Sequence, residues 1–101
     1  MKEVLKLRIV TSSEEFMTAK VEIYTWSTCP FCIRAKGLLD KKGVEYKEYC
    51  IDGDEEARAE MSERASGRSS LPQIFINDSH IGGCDDIYAL ESRNKLDELL
   101  V

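Results

Sequence analysis

From residue 20 onward the chain alternates between short apolar runs and longer stretches with helical spacing, the pattern of strands and helices in turn. Residues 21–25 form an apolar run of strand length. In residues 32–42 the apolar positions recur at helical spacing, and Gly43 is a suitable stop for this predicted helix. The core face of this helix is predicted from Ala35, Leu38 and Leu39. The alternating residues 44–51 predict a second strand, which such a strand–helix–strand unit pairs in parallel with the first.

The second half of the chain predicts one more helix, a hairpin and a closing helical segment. Residues 52–54 are typical of a turn and helix cap, and Gly67 ends the helix whose apolar stripe recurs every four residues: Ala57, Met61 and Ala65. Residues 73–76 and 79–81 flank Asn77-Asp78, a turn typical of an antiparallel hairpin. The closing helices add five predicted core residues: Ile87, Leu90, Leu96, Leu99 and Leu100. Parallel and antiparallel pairing together predict an α/β fold with a four-stranded mixed sheet and helices on both faces.

Residues 1–19 differ from the rest of the chain. Their weak apolar alternation leads into a polar stretch at residues 11–15, and the regular pattern begins only near Lys20. We therefore expect residues 1–19 to be an N-terminal extension, which could be disordered, and residues 20–101 to be one domain. Either the extension is a loosely attached segment, or translation can begin at Met17.

Composition and charge exclude several functional classes. The chain has 101 residues, 43% of them hydrophobic, which suits one small domain with a single core. Its formal net charge of −5, without any basic block, argues against nucleic-acid binding. No apolar run has the length of a membrane helix, and the N-terminus lacks the pattern of a signal peptide. We expect a cytoplasmic monomer whose partners are small molecules or the cysteines of other proteins.

The strongest chemical signal is Cys29-Pro30-Phe31-Cys32, directly after the first predicted strand. A thiolate is the reactive form of cysteine, and the N-terminus of a helix lowers the pKa of a thiol placed there. With Thr28 as a plausible N-cap, Pro30 falls in the first turn, where its missing N–H costs little. The three-residue spacing puts both thiols on one helix face, so they can form an internal disulfide. We expect Cys29 to attack and Cys32 to resolve.

Two other interpretations of this motif remain open. A C-x-x-C pair is also half of many zinc sites, but the remaining candidate ligands are scattered singly along the chain: Cys50, His80 and Cys84. The pair could also be inert and buried. We expect Cys50 to be a small core residue, Cys84 to be partly exposed and open to oxidation, and His80 to be a strand surface residue without a catalytic role. No metal is required.

Three separated motifs, in this order and spacing, resemble the glutaredoxin family. They are Thr28-Cys29-Pro30-Phe31-Cys32, then residues 70–76 (SLPQIFI), then residues 80–86 (HIGGCDD). The resemblance covers residues 20–101 and is closest to the small bacterial dithiol type. It implies the thioredoxin fold and glutathione as the reductant. Two departures, Trp26 where many relatives have a lysine nearby and Phe31 in place of the usual tyrosine, concern the thiolate pKa and substrate preference, not the reaction class.

The resemblance also implies a glutathione-binding site. The bond before Pro72 would be cis and face the active thiol, and the backbone of Leu71 would pair with the cysteinyl part of glutathione. Arg68 would receive the glycine carboxylate. The γ-glutamyl carboxylate would bind at the helix start after Gly82-Gly83, where backbone N–H groups make an anion site, with Cys84 acting through its backbone. Asp85 can accept from the ammonium group of the peptide.

The expected function is therefore glutathione-dependent reduction of protein disulfides and protein–glutathione mixed disulfides through Cys29 and Cys32. Two alternatives remain. In one, Cys29 and glutathione from two chains ligate an iron–sulfur cluster in a dimer. In the other, the chain is a thioredoxin-like protein without a glutathione site.

Overall fold

The computed structural model describes residues 19–100, in which four strands form one mixed sheet. The strands are β1 (Val21–Thr25), β2 (Lys47–Cys50), β3 (Gln73–Ile76) and β4 (Ser79–Gly82). Their order across the sheet is β2-β1-β3-β4. Strand β1 pairs in parallel with β2 and antiparallel with β3, and β3 pairs antiparallel with β4. The predicted mixed sheet of four strands is confirmed.

The helices are α1 (Pro30–Lys41), α2 (Glu55–Arg64), α3 (Cys84–Ser92) and the single turn α4 (Leu96–Leu99). Two buried clusters of side chains show which face of the sheet each helix covers. One joins Val21 and Ile23 of β1 to side chains of α1, α3 and α4. The other joins Phe75 of β3 to Met61 and to Ala65, which follows α2. Alternate residues of the central strands thus feed two cores, and the prediction of helices on both faces is confirmed.

The hairpin turn is the one predicted from Asn77-Asp78. Both residues have positive φ, 51° and 68°, as a tight two-residue turn between twisted strands requires. The turn also contacts the start of the described chain, because the Lys20 N–H donates to Asn77 Oδ1 at 2.9 Å and the Asn77 N–H donates to the Lys20 carbonyl at 2.8 Å. Ala19 is buried in the first core cluster. The rest of the predicted extension, residues 1–18, lies outside the described residues.

Three burial and boundary predictions are wrong. Strand β2 spans Lys47–Cys50 and not residues 44–51, because Val44 and Tyr46 pack on the core from the preceding loop. Cys50 is exposed, since β2 is the edge strand of the sheet and the core contact passes to Ile51. Leu99 is also exposed: in a single helical turn, Leu96 and Leu100 four residues apart share the core face and Leu99 does not.

A partly buried ion pair holds α2 against the sheet. Glu22, in the middle of β1, is only 8% exposed. It accepts hydrogen bonds from Arg64 Nη2 at 2.9 Å and from the Tyr49 hydroxyl at 2.8 Å, and Arg64 lies 4.0 Å above the ring of Phe75. Arg64 in particular holds the pKa of Glu22 below its ordinary value, with the Tyr49 hydroxyl adding to the effect. None of the helices within residues 19–100 has the length and apolar character needed to cross a membrane.

Candidate active site

The first turn of α1 brings a backbone N–H group to a sulfur atom. Cys29 itself is the N-cap residue, with an extended backbone, and the Cys32 N–H donates to Cys29 Sγ at 3.1 Å. The prediction of Thr28 as the cap is wrong, because the sulfur takes the place that a serine or threonine oxygen usually fills. Pro30 begins the helix, where its missing N–H breaks no intrahelical bond. This arrangement stabilises negative charge on Cys29.

The two cysteines form a disulfide, and they differ in access to solvent. Their Cα atoms are 5.1 Å apart. Cys32 is completely buried, packed beneath the helix start, whereas Cys29 remains partly exposed. An incoming sulfur therefore reaches Cys29 first, as nucleophilic attack and later exchange require.

A loop that lies 42 residues further along the chain completes the surroundings of Cys29. The Leu71–Pro72 bond is cis, as the resemblance implied, and the Leu71 carbonyl oxygen lies 3.9 Å from Cys29 Sγ. Pro72 is buried, and Gln73 directly after it begins β3. The sheet thus anchors this loop opposite the disulfide, although 42 residues separate it from Cys29 in sequence.

A cavity of about 200 Å³ lies beside this loop. The residues expected to bind glutathione all line it, together with four others: Phe31, Arg68, Ser70, Leu71, Pro72, Gly83, Cys84, Asp85 and Asp86. Three segments that are distant in sequence therefore meet around one cavity next to Cys29: the motif helix, the Pro72 loop and the start of α3.

Asp86 is a site residue that sequence reasoning missed. Its Oδ2 accepts from the Gly83 N–H at 2.8 Å and from Arg68 Nη1 at 3.1 Å. The Gly83 N–H and Arg68 hold the pKa of Asp86 below its ordinary value. The carboxylate thus links the α3 cap to the Arg68 loop. The sequence did contain a signal for this role of Asp86: an acidic residue three positions after the helix-cap residue Gly83 is typical of a capping box, in which its side chain accepts from the backbone N–H of the cap residue.

Gly82 cannot be replaced without disturbing that carboxylate. Its φ is +121°, a region that residues with a side chain rarely adopt, and a Cβ there would collide with the Asp86 carboxylate. The next residue, Gly83, approaches the Pro72 loop so closely that an added Cβ would lie 3.2 Å from the Pro72 carbonyl oxygen. Gly82 is thus required by its backbone conformation and by Asp86, and Gly83 by the close approach of the α3 start to the Pro72 loop.

Cys84 differs from the prediction. It begins α3 and is only 5% exposed, and burial raises the pKa of its thiol. The expectation of a partly exposed thiol open to oxidation is wrong, because α3 packs this side chain into the core cluster. Cys84 touches the cavity without presenting a reactive thiolate. Across residues 19–100, no three His, Cys, Asp or Glu side chains converge on a position that could hold a metal ion.

The strand order, the disulfide at the start of α1 and the cis proline facing it define a thiol–disulfide oxidoreductase with the thioredoxin fold. The family model described as glutaredoxin matches residues 21–81. A protein of Synechocystis sp. named a probable glutaredoxin is 70% identical over 84 residues, covering 83% of this chain and 96% of its own. Glutaredoxin 3 of Escherichia coli is 60% identical over 82 residues, covering 81% of this chain and 98% of its own. The chain therefore belongs to the glutaredoxin family.

A solved structure agrees with this assignment. The crystal structure of a buckwheat glutaredoxin–glutathione complex superposes with a TM-score of 0.75 at 27% identity, covering 81% of this chain and 76% of that one. Glutaredoxins are thiol–disulfide oxidoreductases that use glutathione as substrate, and this chain is an enzyme of that class.

Proposed function

We propose that this glutaredoxin reduces protein disulfides and protein–glutathione mixed disulfides with Cys29 as the nucleophile and Cys32 as the resolving thiol. The observation that carries the assignment is the asymmetry of the pair. Cys29 is partly exposed and accepts a helix-terminal N–H at its sulfur, whereas Cys32 is fully buried. A nucleophile needs access and charge stabilisation, and a resolving thiol needs only to reach its neighbour.

With a glutathionylated protein, one thiol of the pair is sufficient. The Cys29 thiolate attacks the glutathione sulfur, the mixed disulfide breaks, and the protein thiolate leaves and takes a proton. A second glutathione thiolate then attacks the glutathione sulfur on Cys29. This releases oxidised glutathione and restores the Cys29 thiolate.

With a protein disulfide, both thiols take part. Cys29 attacks one target sulfur, and the other target sulfur leaves as a thiol. Cys32 then attacks Cys29, which releases the reduced target and leaves the Cys29–Cys32 disulfide. A first glutathione thiolate attacks Cys29 Sγ, which breaks the Cys29–Cys32 bond, forms a mixed disulfide on Cys29 and leaves Cys32 as a thiol. A second glutathione thiolate then attacks the glutathione sulfur of that mixed disulfide, which releases oxidised glutathione and restores the Cys29 thiolate.

The cavity beside Cys29 is the proposed glutathione site. The backbone of Leu71 next to Cys29 would pair with the cysteinyl residue, and Pro72 would form the adjoining wall. Arg68, 47% exposed at its side chain, would receive the glycine carboxylate although Asp86 already pairs with it. The backbone N–H groups of Cys84 and Asp85 at the start of α3 would receive the γ-glutamyl carboxylate, with the Asp85 side chain near the ammonium group.

The experiment that tests the thiol roles compares Cys29→Ser and Cys32→Ser on two substrates, a glutathionylated peptide and a protein disulfide. We expect Cys29→Ser to lose both activities, and Cys32→Ser to keep deglutathionylation while losing disulfide reduction. Cys50→Ser is the matched control, because it removes an exposed thiol that does not line the cavity. Retained activity in Cys29→Ser, or equal loss of both activities in Cys32→Ser, would contradict the assignment.

We further propose that the protein works as a cytoplasmic monomer on protein thiols, without nucleic-acid or membrane partners. The formal net charge of −5 supports the first exclusion. A dithiol enzyme that draws on glutathione suits a compartment where glutathione keeps thiols reduced. Size-exclusion chromatography tests the monomer, and the absorbance spectrum of anaerobically purified protein tests against a cluster-bridged dimer.

A further inference from the structure

The backbone segment that faces Cys29 has little support of its own. Residues 69–71 belong to neither a helix nor a strand, and within the described part of the chain no backbone–backbone hydrogen bond involves them. Ser69 and Ser70 are also exposed. Yet the segment ends in the Leu71 carbonyl, 3.9 Å from the attacking sulfur. Side chains must therefore hold this loop in place.

The buried side chain of Gln73 is one of the groups that fix this loop. Its side chain is completely buried, and its Nε2 donates to the Ser70 carbonyl at 2.9 Å, with Ser70 Oγ 3.2 Å away. Its backbone is fixed, because Gln73 begins β3 and pairs with Tyr24 of the central strand. The amide therefore connects a rigid strand to the loop three residues earlier.

His80 fixes the orientation of that amide. The Ser70 carbonyl can only accept, so the NH₂ group of Gln73 must face it and Oε1 must face the other way. Oε1 lies 2.6 Å from His80 Nε2, which must therefore carry the proton and donate. The imidazole is held in turn, since β4 pairs His80 with Phe75 and the two rings lie 5.2 Å apart. Burial, with Arg68 adding to the effect, lowers the pKa of His80 and so favours the neutral ring.

We propose that Gln73 and His80 are positioning residues for glutathione: His80 orients the Gln73 amide, and the amide holds Ser70 so that the Leu71 backbone is preset beside Cys29. This inference rests on the proposed glutathione site. Neither side chain lines the cavity, so both act through the loop. We call the two hydrogen bonds from His80 to Gln73 and from Gln73 to Ser70 the relay. Breaking it should weaken glutathione binding only in part, because Arg58 Nε and Nη2 also hold the loop by donating to the Ser69 carbonyl, at 3.0 and 2.8 Å.

The test compares His80→Phe with His80→Gln. Phenylalanine keeps an aromatic ring against Phe75 but has no donor, whereas the glutamine amide can place an N–H where Nε2 stands. Steady-state deglutathionylation of a glutathionylated peptide is measured over a range of glutathione concentrations. We expect His80→Phe to raise the KM for glutathione by about three- to tenfold, the factor for one lost neutral hydrogen bond, with kcat nearly unchanged. His80→Gln should restore the wild-type KM.

Gln73→Met provides a second, independent variant, since it removes both ends of the relay at nearly constant volume. Because the two residues act in series, the double variant Gln73→Met/His80→Phe should have the KM of Gln73→Met alone. The NMR order parameter of the Leu71 backbone should fall in the variants that raise KM. That readout reports the loop directly, in any variant that folds.

Three results would overturn the inference. They are an unchanged KM in His80→Phe, an additive rise in the double variant, and a fall in melting temperature and kcat without a change in KM. A wrong assignment of the glutathione site itself would be distinguishable from these results. It would appear in the wild-type enzyme, as a rate that does not saturate with glutathione.

Discussion

Replacing Glu22 by glutamine tests whether its partly buried ion pair with Arg64 holds α2 against the sheet. The substitution keeps the size and shape of the side chain and removes its charge. Glu22 is 8% exposed, and its carboxylate accepts from Arg64 at 2.9 Å and from Tyr49 at 2.8 Å. Glutamine can still accept from one of these partners, but it turns an NH₂ group toward the other.

The expected loss follows from these two hydrogen bonds. A hydrogen bond to a charged group contributes about 1.5–3 kcal/mol, against about 0.5–1.5 kcal/mol for a neutral one. The Arg64 side chain is 31% exposed, so solvent screens part of the difference. We expect the free energy of unfolding to fall by about 1–2 kcal/mol near neutral pH, which lowers the melting temperature by roughly 5–12 °C in a domain of this size.

The loss should depend on pH in one direction. Arg64 lowers the pKa of Glu22 in the folded protein below the ordinary 4.5, so the unfolded chain binds a proton at a higher pH than the folded one does. The stabilisation by this carboxylate is therefore complete above pH 4.5 and disappears as pH falls through the folded pKa. The difference between wild type and Glu22→Gln should be full at about pH 7 and smaller at about pH 3.5, which lies below the ordinary pKa of the carboxyl.

Thermal unfolding followed by circular dichroism at both pH values measures this difference. Glu48→Gln is the matched control, because Glu48 also accepts two hydrogen bonds, from Thr25 and Lys36, but its side chain is 33% exposed. We expect a smaller loss for the control. An equal loss at both pH values, or no loss near neutrality, would refute the assignment of the stabilisation to the ionised Glu22.

Three further substitutions probe the site and the core. Gly82→Ala should lower the unfolding free energy by about 1–3 kcal/mol through backbone strain and raise the KM for glutathione by displacing Asp86; an unchanged melting temperature would contradict this. Arg68→Ala should raise that KM by up to about tenfold, with kcat kept, and a wild-type KM would exclude Arg68 from the glutathione site. Met61→Ala should cost about 2–5 kcal/mol in urea unfolding, since its side chain is fully buried, and a loss below that range would mean the cavity collapses.

The site was predictable where its residues form local motifs. Cys29 and Cys32 share a helix turn, and the Gly82-Gly83 pair directly precedes α3, so each could be recognised from a few neighbouring residues. The hydrogen bond between Arg68 and Asp86 could not be predicted from the sequence, because it joins residues 18 positions apart in different parts of the fold. The relay from His80 through Gln73 to Ser70 was missed for a related reason, since it depends on which partner strand faces β3.

Burial of single residues was the least predictable property. Cys50 and Cys84 both occupy positions where a small apolar side chain is common, and both predictions were wrong in opposite directions. The edge position of β2 leaves the first exposed, and packing of α3 covers the second. Leu99 was also predicted to be buried and is exposed, because the short last helix presents only one face to the core.

The sequence by itself determined the order of strands and helices, the tight hairpin turn and the dithiol at the start of a helix. Hydrophobic period, turn residues and helix caps act between neighbours, so they can be recognised along the chain. Only the tertiary structure decided which surfaces meet. The Leu71 carbonyl reaches Cys29, and Arg64 reaches Glu22, each across 42 residues of sequence. Such contacts, and the burial that gives them their strength, exist only once the sheet and its helices have packed.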